Sequence, residues 1–154
     1  MRHGESEWNK DNRFCGWVDV PLSNRGVEEG ITASKLLKAA GYSTFNVVHT
    51  SLLKRSIETA NIIIEQLNEG TEHISNKTSL TCLKHWRLNE RHYGALTGLN
   101  KIEMVKLHGM DKVMEWRRSY DSPPPPMTKD HPYYGEIGRY LMLIRFRWVD
   151  VISI

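Results

Sequence analysis

Cysteine is scarce in this chain: Cys15 and Cys82 are the only two in 154 residues. Their spacing builds neither a metal site nor a disulfide framework, and reduced thiols are the expectation. Long apolar runs are missing as well. Met1-Arg2-His3-Gly4 leads into polar residues rather than the apolar core of a secretory signal. No stretch approaches the roughly 20 apolar residues of a membrane span. A soluble, cytoplasmic protein with no membrane partner is therefore expected. Charge of one sign is not concentrated either. The net charge is +3 and the isoelectric point is near 8.9. There is no basic run, basic helix or zinc-finger spacing, so no nucleic-acid partner is expected. Scattered arginines suit a small anion better than a polyanion. No internal repeat is visible, and the length suits one domain.

What is present reads as alternating strand and helix, hence an α/β fold. Ser23 caps a helix running to about Ala40, with Val27, Ile31, Ser34 and Leu37 on one face and Gly41 as its stop. Phe45 to Thr50 is short, apolar and β-branched, which predicts a buried strand. A second helix is expected from Leu52 to Leu67, with Leu53, Ile57, Ala60, Ile64 and Leu67 inward and Gly70 at its end. Thr71 to Lys77 is polar loop, and Leu80 to Leu83 a candidate strand. Asn100 and Glu103 form a capping-box pattern. Another helix starts near Asp111 and carries Val113, Met114 and Trp116. Pro123 to Pro126 cannot be helical. Arg139 to Ile154 is apolar and aromatic, with the composition of a strand.

Two short blocks carry candidate chemistry. His3 offers an imidazole that is a nucleophile near neutral pH. Gly4 lets backbone approach a phosphate closely, and Arg2 supplies a planar fork matched to phosphate oxygens. Ser51, the following helix start and Arg55 form a possible anion site. Taken alone, the first block is better read as a surface Arg-His pair and the second as a capped helix with a solvated Lys54-Arg55 pair.

The longer motifs are more specific. Arg2-His3-Gly4-Glu5 with Ser6, Trp8 and Asn9 is followed by Arg13-Phe14-Cys15-Gly16-Trp17. Trp86 to Lys101 is a long, polar, glycine-punctuated stretch of the kind that forms functional loops. Trp116-Arg117-Arg118-Ser119-Tyr120-Asp121 precedes Pro123 to Pro126 and His131-Pro132-Tyr133-Tyr134. Together these blocks resemble the cofactor-dependent phosphoglycerate mutases of the histidine phosphatase superfamily. The resemblance implies a three-layer α/β/α sheet. It implies His3 as the phosphorylated nucleophile and Glu90 as general acid/base. It further implies Arg2, Asn9, Cys15, Gly16, Arg55, Arg91, Tyr93, Lys101, Arg117 and Arg118 as substrate or phosphate ligands. The implied reaction is interconversion of 3- and 2-phosphoglycerate in glycolysis, primed by 2,3-bisphosphoglycerate and needing no metal. Family members are often homo-oligomers. The six cations among these residues suit a ligand carrying roughly two negative charges per phosphate plus a carboxylate.

Within the family, bisphosphoglycerate mutase typically has glycine where Ser6 stands and serine where Gly16 stands, so both positions favour phosphoglycerate mutase; Ala95 leans the other way. The resemblance runs from Arg2 to about Tyr134, with an insertion around Gly70 to Ser79. Family members carry an apolar strand before Arg-His-Gly, and later strands with a second His-Gly-Asn loop. The expectation is thus a partial domain at residues 1–138, lacking the first and the C-terminal strands, with a divergent tail at 139–154. His49, His73, His85, His92, His108 and His131 are the remaining histidines. Only His108 precedes glycine, and Gly109 reads there as a helix stop. A truncated form with impaired catalysis is therefore the alternative to an active mutase. A broader phosphatase of the superfamily ranks lower, because it is not expected to carry the Glu90 to Lys101 stretch or the proline run.

Overall fold

A computed structural model describes residues 1–42, 44–69 and 81–140. The chain forms two compact units. The first comprises Met1–Lys10 and Asp19–Asn89, the second Asp11–Val18 and the residues from Glu90 onward.

In the first unit, α1 (Glu7–Lys10) is a single turn, followed by α2 (Asn24–Ala39), β1 (Val47–Thr50), α3 (Lys54–Asn68) and β2 (Thr81–Lys84). β1 and β2 pair in parallel, with Val47 opposite Thr81 and Thr50 opposite Lys84. This β-α-β order is the α/β architecture expected. The Ser23 hydroxyl accepts from the Gly26 amide and caps α2. At the other end Gly41 adopts φ +83. Its amide reaches the Lys38 carbonyl and that of Tyr42 reaches Leu37, the paired bonds that close a helix through a left-handed residue.

The inward faces differ in part from the sequence expectation, although Ser34, Leu53 and Leu67 are buried as expected. α2 buries Gly26, Gly30 and Ser34, while Val27 is 38% exposed. A Cβ on Gly30 would lie 3.1 Å from the Ile62 side chain, so this glycine lets α3 approach, while Gly26 lies against the Glu5 backbone. α3 buries Arg55, Thr59, Ile63 and Leu67, one residue per turn, rather than the line through Ile57 and Ile64. The expected strand also needs correction. It starts at Val47, not Phe45, and Phe45 and Val47 are 37% and 41% exposed. Among the described residues β1 has one strand neighbour. β1 also lines a cleft of about 650 Å³ with Leu37, Ile63, Ile64 and Leu67. Apolar composition marked the segment as strand, but burial depends on what covers it.

In the second unit, 3₁₀ turn Gly94–Leu96, α4 (Lys101–His108) and α5 (Met110–Arg118) surround a core of Phe14, Leu96, Val113 and Trp116. Phe14 and Val113 are fully buried. Burying one such side chain stabilises by about 1.5–3 kcal/mol. The Asn100 side chain accepts from the Ile102 and Glu103 amides and so caps α4. Gly109, at φ +83, ends α4 as expected and places His108 in its last turn. Pro123 to Pro126 form neither helix nor strand. The Pro125 carbonyl accepts from the Ala95 amide at 2.8 Å. A Cβ on Gly94 would overlap that same carbonyl, so only glycine admits this contact. Residues 134–140 are helical, including the first two of the apolar tail. The rest of that tail, with Leu80 and the Thr71 to Lys77 loop, lies outside the described residues. Among the described residues, no helix is long and apolar enough to cross a membrane.

Candidate active site

The candidate residues fall into two groups, one in each unit. In the first unit, His3 is half-buried, and its Nδ1 lies 2.6 Å from the Gly4 carbonyl oxygen. A carbonyl only accepts, so Nδ1 carries the proton. In the neutral ring the lone pair then resides on Nε2. Gly4 is buried against α2, and a Cβ there would overlap the Gly26 carbonyl. The Gly4 amide donates to the Thr59 hydroxyl at 3.1 Å, and that hydroxyl donates to the Arg55 carbonyl at 2.7 Å. Thr59 therefore ties the His3 segment to the first turns of α3. Arg55 is fully buried in this helix. A guanidinium withdrawn from water must be matched by acceptors or a bound anion. Arg2 is exposed.

Asn9 faces its own turn: its side-chain oxygen accepts from the Ser6 amide and hydroxyl at 3.2 and 2.9 Å. The start of α3 is partly supplied from within. The Ser51 hydroxyl accepts from the Leu53 amide, and an Asp19 carboxylate oxygen lies 2.6 Å from the Lys54 amide. An external anion at this helix start would compete with Asp19 for the first amide.

In the second unit, Gly16, at φ +57, turns the chain beneath the Glu90 to Tyr93 segment. A Cβ there would lie 3.3 Å from the Tyr93 amide nitrogen. The next residue, Trp17, donates its indole N–H to the Glu90 carbonyl at 2.7 Å and meets the His92 ring edge-on at 5.6 Å. Phe14 packs against Tyr93 with ring centroids 5.0 Å apart. The Cys15 thiol is buried, 3.9 Å from the Arg13 carbonyl.

Around Tyr93 the charges converge. Burial, then the Glu90 carboxylate, push its hydroxyl pKa up, while Arg117, Arg91 and Arg118 pull it down. One carboxylate and three guanidiniums thus lie within electrostatic reach of a single phenol. Arg91 donates to the carbonyls of Trp116, at 2.8 Å, and Ser119. Lys101 opens α4, with its ammonium 6.0 Å from the Phe14 ring centroid. The grouping around Tyr93 has the charge to attract a small, multiply charged anion and includes one carboxylate.

Sequence reasoning missed Thr59, Asp19 and the anchoring part of Trp17. The first had a signal, since it stands one helical turn after Arg55. The other two act across long sequence separations.

Residues 1–137 match the histidine phosphatase superfamily, branch 1. Similar solved structures include a protein described as mycobacterial hydrolase 1, at 24% identity and TM-score 0.63, over 80% of this chain and 50% of that one. A mycobacterial glucosyl-3-phosphoglycerate phosphatase in complex with VO3 matches at 26% identity and TM-score 0.62, over 80% and 54%. Bacillus stearothermophilus YhfR matches at 26% identity and TM-score 0.59, over 75% and 50%. The chain spans about half the length of these structures.

Proposed function

Because this chain belongs to the histidine phosphatase superfamily, we propose that it transfers phosphoryl groups through a phosphohistidine at His3, with phosphoglycerates as substrates. The observation that carries the reading is the His3 Nδ1 bond to the Gly4 carbonyl, which leaves Nε2 as the attacking nitrogen. The Nε2 lone pair forms the N–P bond as the ester P–O bond breaks, and the leaving oxygen takes a proton from a general acid, the role that the family resemblance implies for Glu90. In the return step a substrate hydroxyl gives its proton to Glu90 and attacks phosphorus, and the N–P bond breaks. Repeated on the neighbouring hydroxyl, the two steps interconvert 3- and 2-phosphoglycerate. Positioned cations stabilise the transferring group. Arg117 and Arg118, near Tyr93, suit the phosphate and carboxylate of a phosphoglycerate, and the same pair fits 2,3-bisphosphoglycerate as the priming donor.

A second reading is hydrolysis, in which water replaces the sugar-acid hydroxyl in the return step. The similarity to a glucosyl-3-phosphoglycerate phosphatase favours it. Phosphorus NMR of the protein with 3-phosphoglycerate and a trace of 2,3-bisphosphoglycerate separates the two. Growth of a 2-phosphoglycerate signal supports the mutase, and growth of inorganic phosphate alone supports hydrolysis. A folded protein that changes neither would contradict both.

A further inference from the structure

We propose that Arg91 is a positioning residue: its guanidinium closes the C-terminal end of α5 and thereby directs Arg117 and Arg118, an inference that rests on reading that pair as anion ligands.

α5 ends without the usual device. Its cap residue Ser119 is extended, at φ −69 and ψ 142, and no left-handed glycine follows. A helix end leaves its last carbonyls without intrahelical partners. Here the Glu115 carbonyl is taken by the Ser119 amide at 2.8 Å. The next carbonyl, that of Trp116, accepts from Arg91 Nη1 at 2.8 Å, and the Ser119 carbonyl accepts from Arg91 Nη2. One planar group thus holds two points on either side of Arg117 and Arg118. It also places a positive charge at the negative end of the helix dipole. A lysine ammonium could satisfy one of these points but could not reproduce the fork.

The rest of this helix end is fastened independently. The Ser119 hydroxyl accepts from the Asp121 and Ser122 amides, and the Ser122 hydroxyl donates to Glu115. Trp116 sits in the core. The two arginines therefore follow directly from a fixed core residue, and their exit direction is set by Arg91. Two of the five N–H donors of Arg91 go to backbone carbonyls at the helix end that carries Arg117 and Arg118. The resemblance alone assigned Arg91 to substrate; the hydrogen bonds assign it to the helix that carries the ligands.

The test uses the full chain and variants Arg91→Lys, Arg91→Ala and Arg117→Gln, with 3-phosphoglycerate as probe. Calorimetric titration gives Kd, and amide hydrogen exchange is followed over residues 116–122. Arg91→Lys and Arg91→Ala should speed exchange in that segment and raise Kd by about tenfold or more. Low millimolar guanidinium should partly restore both in Arg91→Ala. Arg117→Gln should raise Kd with exchange unchanged. Weaker binding with wild-type exchange in the Arg91 variants would make Arg91 a direct ligand and overturn the proposal. Faster exchange with wild-type affinity would overturn it equally. If the wild-type chain binds no 3-phosphoglycerate, the substrate reading fails on its own. The exchange data then decide the strut: faster exchange in both Arg91 variants upholds it, and no change removes it.

Discussion

The indole N–H of Trp17 donates to the Glu90 carbonyl at 2.7 Å, across 73 residues of sequence. The bond fixes the backbone from which the proposed proton-transfer carboxylate projects. Trp17→Phe keeps a ring against His92 and removes the donor. The expected outcome is a stability loss of about 1 kcal/mol and a fall in kcat of roughly tenfold, with KM changed less. Urea denaturation and steady-state kinetics check it. A wild-type kcat in a variant of lowered stability would separate Trp17 from the chemistry.

Gly16 stands under the same segment at φ +57. Gly16→Ser places a side chain in the left-handed region, at about 1–2 kcal/mol, and puts a Cβ 3.3 Å from the Tyr93 amide nitrogen. A lower denaturation midpoint and a shifted Tyr93 amide resonance are expected. An unchanged midpoint would mean that the turn tolerates an L-residue.

His92 predicts a pH dependence. Burial, and then the charge of His131, hold its pKa below the ordinary imidazole value. Its Nδ1 accepts from the Gly94 amide at 2.9 Å, so protonation at that atom breaks the bond. A depressed histidine pKa means that the unfolded chain binds more protons. The stabilisation is complete above the unfolded-state pKa of about 6.5 and is lost as pH falls toward the folded value. His92→Asn keeps an acceptor without the titration. Melting temperatures compared between about pH 7 and about pH 5 should fall less in the variant than in wild type. Equal falls would assign the acid sensitivity elsewhere.

The sequence was legible where the physics is local. Ser23, Gly41, Asn100 and Gly109 marked helix ends because caps depend on a few neighbouring residues. The inward faces of α2 and α3 were legible only in part: Ser34, Leu53 and Leu67 are buried as expected, whereas Val27, Ile57 and Ile64 are not. Hydropathy follows Val27 and Ile57, but packing selects Gly30, which admits Ile62, and buries Arg55. Glycine has no hydropathic signal, and a buried arginine has the wrong one. The candidate site divides the same way. The residues gathered around Tyr93 all came from motifs in the sequence. The contacts that hold them in place did not, because Trp17 to Glu90 and Gly4 to Thr59 span 73 and 55 residues. Arg91 to Ser119 spans 28 and depends on the backbone end of a helix rather than on any side-chain pattern.

The account stands or falls on His3 as the phosphoryl carrier. The most direct measurement is brief incubation of the folded chain with 2,3-bisphosphoglycerate, followed by mass-spectrometric mapping under alkaline conditions. The account predicts an acid-labile phosphate on the peptide containing His3, absent in His3→Ala. A folded wild-type chain that takes no label, or takes it at a residue other than His3, would contradict it.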